Sequence, residues 1–349
     1  MWREKDKNRG PHNCMKRILC FLLMVILVGN FVSCTFFQKS EYKNALFPVL
    51  HGEVWGYVNG KGEYVINPQF SSAEPFMDGL AKVRDRDNKI GFIDEKGIYV
   101  INPSYKEATY FNDGLAFVVS EGGYPTCINS SGEVVFTLEN AEYVGPFSEG
   151  LAPVISEDAN GDLKVGFVDK KGEVVITPQF DEAGYFSEGL APVRLKDSYG
   201  FIDKTGKIVI NPQFDAVQSF KGGLAGVLSN EKWGVIDKDG KIVINPQFDE
   251  IAPFSEGLAV VMMGEQYGFI DKTGKEVIPC NYSYVTDFEG GIAYIESGGP
   301  ASFRCINKAG KEFFKLPWTH KIYRAICDGY IVSYDNCITV RYGYYDRKG

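Results

Sequence analysis

Nine acidic or amide residues recur at one place in a repeated phrase, and they are the first candidates for chemistry. Asp94, Asp169, Asp203, Asp237, Asp271 and Asp346 stand there, with Asn59, Asn129 and Asn307 in the same slot. A ladder of carboxylates could bind cations or supply a general acid and base. Each residue, however, comes three before a glycine in an Asp-Lys-Thr-Gly-like step. At such a step an Asp or Asn side chain accepts the amides of a tight turn. Asparagine serves a turn but not acid–base work, so the ladder is expected to be structural.

A second acidic group, Asp158, Asn160, Asp162 and Asp169, falls at offsets 1, 3, 5 and 12 of a calcium loop. That loop needs glycine at its sixth position, and Leu163 stands there. An Asn160-Gly161 hairpin tip accounts for the same residues without an ion. His51 and His320 lie far apart, and no Ser-His-Asp, HExxH or Walker-type pattern is present. Cys127 and Cys305 replace a repeated core aromatic, as small buried hydrophobes would. Cys327 and Cys337 could pair in an oxidising compartment. With Cys280 they make an odd number beyond position 34, so no complete disulfide framework is expected. No catalytic residue, metal or cofactor is expected.

The N-terminus carries an address. Lys16-Arg17 precede an apolar run from Ile18 to Val28, and Phe31-Val32-Ser33-Cys34 follow. A basic flank, a short apolar run and small residues before a cut form a secretory signal. With Cys34 directly after Ser33, the segment resembles a bacterial lipoprotein signal, although Phe31 stands where that family prefers Leu. The resemblance implies lipidation of Cys34 as the mature N-terminus, with Met1 or Met15 as the start. An uncleaved anchor from Ile18 to Phe37 is the alternative. Either way the body leaves the cytoplasm. The expected partition is a signal region at 1–33, a lipidated cysteine and tether at 34–45, and a repeat array at 46–349.

The chain has a net charge of −8, and six basic against two acidic residues before Cys34 leave −12 for the rest. An acidic body without a basic run offers no footprint for nucleic acid.

The elements that carry these residues repeat about every 35 positions. Turn glycines stand at Gly62, Gly97, Gly132, Gly172, Gly206, Gly240, Gly274, Gly310 and Gly349. Before each turn runs a strand-like piece such as Tyr199-Gly200-Phe201-Ile202-Asp203 (strand B). After it comes Lys207-Ile208-Val209-Ile210 (strand C), and before it Leu190-Ala191-Pro192-Val193 (strand A). Strand C is expected to stop at Asn-Pro, where proline removes a ladder donor. Pro153 and Pro192 mark strand A as an edge at that slot, by the same argument. Insertions collect in the A–B connection, from Ile155 to Lys164 in the fourth unit, which makes that edge the variable one. Interior glycines and prolines exclude helical repeats of similar period. The fold expected is all-β: about nine three-stranded meanders stacked as an open solenoid or superhelix, with propeller-like closure as the alternative. Neighbours would adhere through Phe and Ile of strands B and C and the phenylalanine of the following loop.

Trp55-Gly56, Gly91, Gly166, Tyr199-Gly200, Trp233-Gly234 and Tyr267-Gly268 open the B strands. With the Val-Ile-x-Pro-x-Phe that follows, this pattern resembles the WG-repeat (KWG-like) family of bacterial secreted and surface proteins, over about Leu46 to Gly349. The third and eighth units depart at Thr126-Cys127 and Arg304-Cys305. The resemblance implies a β-repeat fold and no catalytic residues. The expected function is an envelope-anchored binding or scaffold surface for an unknown protein partner. The alternative is a cell-wall or host glycan stacked on the repeat aromatics, and a polysaccharide-acting enzyme comes last.

Overall fold

The computed structural model describes residues 45–59, 62–158, 160–296, 303–315, 320–326, 329–335 and 340–346. The expectations for Cys34, the signal and tether, Cys327, Cys337 and Gly349 lie outside these residues. No helix occurs among them, and the strands form nine antiparallel sheets in sequence order.

One unit shows the plan. Its strands are Glu182–Ala183, Leu190–Leu195 (A), Ser198–Asp203 (B) and Ile208–Phe214 (C). They pair in that order, each with the next. The two-residue leading strand is the part the sequence did not announce. A leading strand, two residues long except at Ser72–Met77, completes a four-stranded sheet in seven units, while the first and last sheets have three strands. The first sheet begins at Phe47–His51, which is an A strand, and the last ends at Val340–Asp346, which is a B strand. Cα atoms of these two strands come within 8 Å of each other. That contact is the one propeller-like closure requires; nine tandem sheets otherwise suit either arrangement.

Strand C does not stop at its proline. Tyr199 pairs with Phe214 and Phe201 with Ile210, so a step of two along B matches a step of four along C. Asn211, Pro212 and Gln213 arch over Gly200 as a bulge, and pairing resumes at Phe214. A Cβ on Gly200 would lie 2.4 Å from the Ile210 carbonyl oxygen and 2.6 Å from the Pro212 nitrogen. The signature glycine is therefore demanded by passing backbone. Proline tolerates the arch because the arch has no ladder bond to lose.

In every sheet but the first, strand A is interior rather than an edge, pairing with B on one side and the leading strand on the other. The proline slot lies just beyond the leading strand, whose last residue Ala183 faces Val193. There the Pro192 carbonyl accepts from the Gly184 amide at 2.8 Å, and the Pro153 carbonyl from Gly145 at 2.9 Å. Two units without proline cap the slot with a hydroxyl. The amides of Phe117 and Tyr294 donate to the hydroxyls of Thr109 and Thr286 at 2.9 and 3.0 Å. Where proline leaves no amide to cap, glycine replaces threonine, and a Cβ on Gly184 would sit 2.7 Å from Pro192 Cγ.

The sheets stack face to face. Strand B is buried on both sides, with Phe201 turned to the following unit and Ile202 away from it. Leu190, Phe201, Ile210 and Phe214 share one core cluster with Val217, Phe220, Ala225, Val227 and Ile236 of the next unit. Phe201 and Phe220 meet at 4.8 Å between ring centres, and Phe167 meets Phe186 in the same way at 5.0 Å. Cys127 and Cys305 are buried where other units place a B-strand ring. The ring is supplied instead from strand A, by Phe117 opposite Cys127 and Tyr294 opposite Cys305. Burial pushes both thiols up to about 12, which leaves them protonated and inert.

Candidate binding surfaces of the repeat array

The aspartate ladder is turn chemistry. Asp203 Oδ1 accepts from the Thr205 amide at 2.9 Å, the Thr205 hydroxyl at 2.6 Å and the Lys207 amide at 3.1 Å. The Thr205 hydroxyl, with those amides, holds the carboxyl below its ordinary value, and Asp271 is held the same way by Thr273. Asn59, Asn129 and Asn307 make the equivalent amide bonds. Gly62, Gly97, Gly132, Gly172, Gly206, Gly240, Gly274 and Gly310 all have φ between +73° and +84°. Gly206 does a second job, since a Cβ there would meet Ile176 of the previous unit at 3.1 Å. The Asp158 group is a hairpin tip as well: its Oδ1 accepts from the Asn160 and Asp162 amides at 2.8 and 2.9 Å. No cluster able to hold a metal occurs among the described residues.

The signature aromatics are half-buried caps on the stacked cores. Trp55, Tyr199, Trp233 and Tyr267 each pack against a cluster that joins two units. The Tyr199 hydroxyl bonds Glu182, which is itself buried and paired with Arg194 at 2.6 Å. Tyr267 reaches Glu250 at 3.2 Å. Gly56, Gly91, Gly166, Gly234 and Gly268 repeat the contact of Gly200, each with strand-C backbone closer than 3.0 Å to the place a Cβ would take.

Three further surfaces lay hidden from sequence reasoning. The first is the outer edge of strand C. Val65, Val100, Val135, Val175, Val209, Val243 and Val277 hold one register position in seven successive units and are 38–47% exposed. Tyr64, Val134, Val174, Ile208 and Ile242 extend the same edge.

The second is a ladder that crosses from unit to unit at the B–C turn end. An acid precedes the Phe-x-x-Gly glycine and takes the left-handed region: Asp78, Asp113, Glu149, Glu188 and Glu256 have φ from +49° to +57°. Its carboxylate accepts an amide of the next unit, as Asp113 does from Gly150 at 2.6 Å and Glu149 from Gly189 at 3.0 Å. A lysine from the next B–C turn joins four of these five. Lys204 reaches the Glu149 carbonyl at 2.9 Å and its carboxylate at 3.1 Å.

The third surface follows the loops after the leading strands. Burial raises the phenols of Tyr110, Tyr143 and Tyr185 above their ordinary value, with Tyr143 adding to the effect at Tyr110 and Tyr185 and Glu107 adding to it at Tyr143. Burial lifts the Asp287 carboxyl and lowers the Lys221 ammonium, each opposed by the other's charge.

This geometry and the sequence pattern define a β-repeat protein of tandem stacked sheets. The chain belongs to the WG containing repeat family, whose pattern matches residues 55–89, 90–124, 126–157, 166–198, 199–233, 233–267 and 267–299. No curated protein sequence matches it significantly. Among solved structures it is similar to BamB from Moraxella catarrhalis, at 8% identity and a TM-score of 0.42, over 75% of this chain and 93% of that one. Virginiamycin B lyase from Staphylococcus aureus shares 14% identity at a TM-score of 0.35, over 64% and 89%. The WD40 β-propeller domain of Doa1 shares 15% at 0.31, over 70% and 94%. Likenesses this distant say nothing of what this chain binds or does.

Proposed function

We propose that the protein is a non-catalytic scaffold that presents its strand-C edges to protein partners. On this reading it is held at the bacterial envelope by lipid on Cys34, with the repeat body periplasmic or surface-exposed. The valine ladder supports the binding role. Seven neighbouring strands each display apolar side chains beside backbone groups that no further strand pairs, and both features favour a covering protein surface. In six of these seven strands the arch at the proline shortens the free edge, which disfavours indiscriminate pairing between copies. Stacked repeats present many such edges at once, so modest contacts add up over a long surface.

Ile208→Lys with Ile242→Lys tests this. Both side chains are exposed, so each change should move stability by no more than about 0.5 kcal/mol. The partner complexes recovered by chemical cross-linking of intact cells should be lost, while the hairpin-tip control Lys196→Glu keeps them. Complexes that survive in the double variant overturn the edge assignment. Glycan binding that is lost on Trp55→Ala and Trp233→Ala would favour the carbohydrate alternative. Anchoring has its own test. Cys34→Ala should abolish palmitate labelling and release the protein from the membrane fraction, and label that persists removes the lipid anchor.

A further inference from the structure

The ladder of acids, glycine amides and lysines is interrupted where glycine replaces the acid, at Gly222 and Gly290, and the first interruption specifies a ligand. In the unit that begins at Leu224 the acid's place is taken by Gly222, which keeps the same backbone region at φ +62°. The groups that would receive an acid remain. In the equivalent place one unit on, Glu256 accepts the Gly291 amide at 2.9 Å, and Lys308 reaches its carbonyl at 2.8 Å and carboxylate at 3.0 Å. One unit back, Glu188 accepts the amides of Gly222 and Gly223 at 2.5 and 2.9 Å and pairs with Lys238 at 3.2 Å. At position 222, Lys272 reaches only the Gly222 carbonyl, at 3.2 Å, and its ammonium stands 3.2 Å from where a Cβ would begin. Gly222, Gly257 and Lys272 are all exposed, so solvent and solutes reach the place.

We infer that the Gly257 amide and the Lys272 ammonium form a receptor for a carboxylate supplied by a ligand. The protein's own repeats define the chemistry. An amide and an ammonium grip an acid side chain together at Asp113, Glu149, Glu188 and Glu256, and charge-assisted bonds of this kind are the stronger ones. The geometry asks for one carboxylate with its chain leaving towards solvent. A free small acid and an acidic peptide side chain carry that same group. The inference stands apart from the strand-C edge, since it rests on turn amides and lysines and not on the exposed side chains of strand C.

The test is amide NMR of the full chain, titrated with acetate and, in a second arm, with N-acetyl-glutamate amide. Chloride at equal ionic strength is the control. The Gly257 amide should shift saturably with either carboxylate but not with chloride, while the Gly291 amide, already held by Glu256, stays put. Saturation at lower concentration by the glutamate amide would assign the site to peptide acids, and equal behaviour to small carboxylates. Gly222→Glu should move the Gly257 amide to the bound position without ligand and weaken the titration at least tenfold. Acids occupy this backbone region in five other units, so that variant should fold. Lys272→Gln, at an exposed side chain, should weaken the titration by a similar factor. Equal shifts at Gly257 and Gly291, equal response to chloride, or an unchanged titration in Lys272→Gln would overturn the inference.

Discussion

Gly200→Ala is expected to destabilise the protein by about 3 kcal/mol, a large effect for the addition of one methyl group. The reason is contact and not conformation. The alanine Cβ would begin 2.4 Å from the Ile210 carbonyl oxygen and 2.6 Å from the Pro212 nitrogen, and both belong to backbone that cannot swing aside. Strand C would have to lift off its arch, which undoes the pairing of Tyr199 with Phe214. Two neighbours calibrate the result. Gly189→Ala, at φ +89° with nothing within 4 Å, should cost only the conformational term, roughly 1–2 kcal/mol. Gly206→Ala adds to that term a contact of 3.1 Å with the Ile176 side chain, not with backbone, and should fall between the other two. Denaturant melts of the three variants give the order. A Gly200→Ala cost no greater than that of Gly189→Ala would contradict the arch.

Phe201→Ala is expected to cost about 3–5 kcal/mol, as for other large-to-small changes at fully buried rings. Phe201 is 0% exposed and packs on Phe220, which is 1% exposed and belongs to the loop between the leading strand and strand A of the next unit. The loss should therefore spread beyond one unit. In a stack whose repeats lean only on their neighbours, damage in the middle separates the two flanks, and the single melt should divide in two. A melt that stays single and shifts by less than about 1 kcal/mol would mean that the ring is not what joins the sheets.

Much of the fold was legible because a repeat states each rule several times. Nine turn glycines, the Asp or Asn that opens each turn and the paired Phe and Ile of strand B made strand type, turn chemistry and stacking contacts readable. The leading strand escaped because two residues such as Glu182-Ala183 carry no period at all. The meaning of proline was half legible. Pro192 does lack a ladder bond, yet the reason is that the leading strand has already ended, and Pro212 lies in an arch and not at a strand end. Asx turns could be read from local sequence. The Glu188–Gly223–Lys238 ladder could not, since its members lie 35 and 50 residues from the acid and meet only through stacking. The compensation of Cys127 by Phe117, and of Cys305 by Tyr294, was present in the sequence as a swap between two slots. Only the strand register shows that the slots face each other.

The claim beneath all of this is that successive sheets are held together by side chains across the gap between them. A double-mutant cycle on Phe201→Ala and Phe220→Ala tests it most directly, because Phe201 lies in one sheet, Phe220 in the loop that leads into strand A of the next, and the rings meet at 4.8 Å. The account predicts a coupling of about 1 kcal/mol between them. Single-variant losses that add to within about 0.3 kcal/mol, as for distant independent sites, would contradict it.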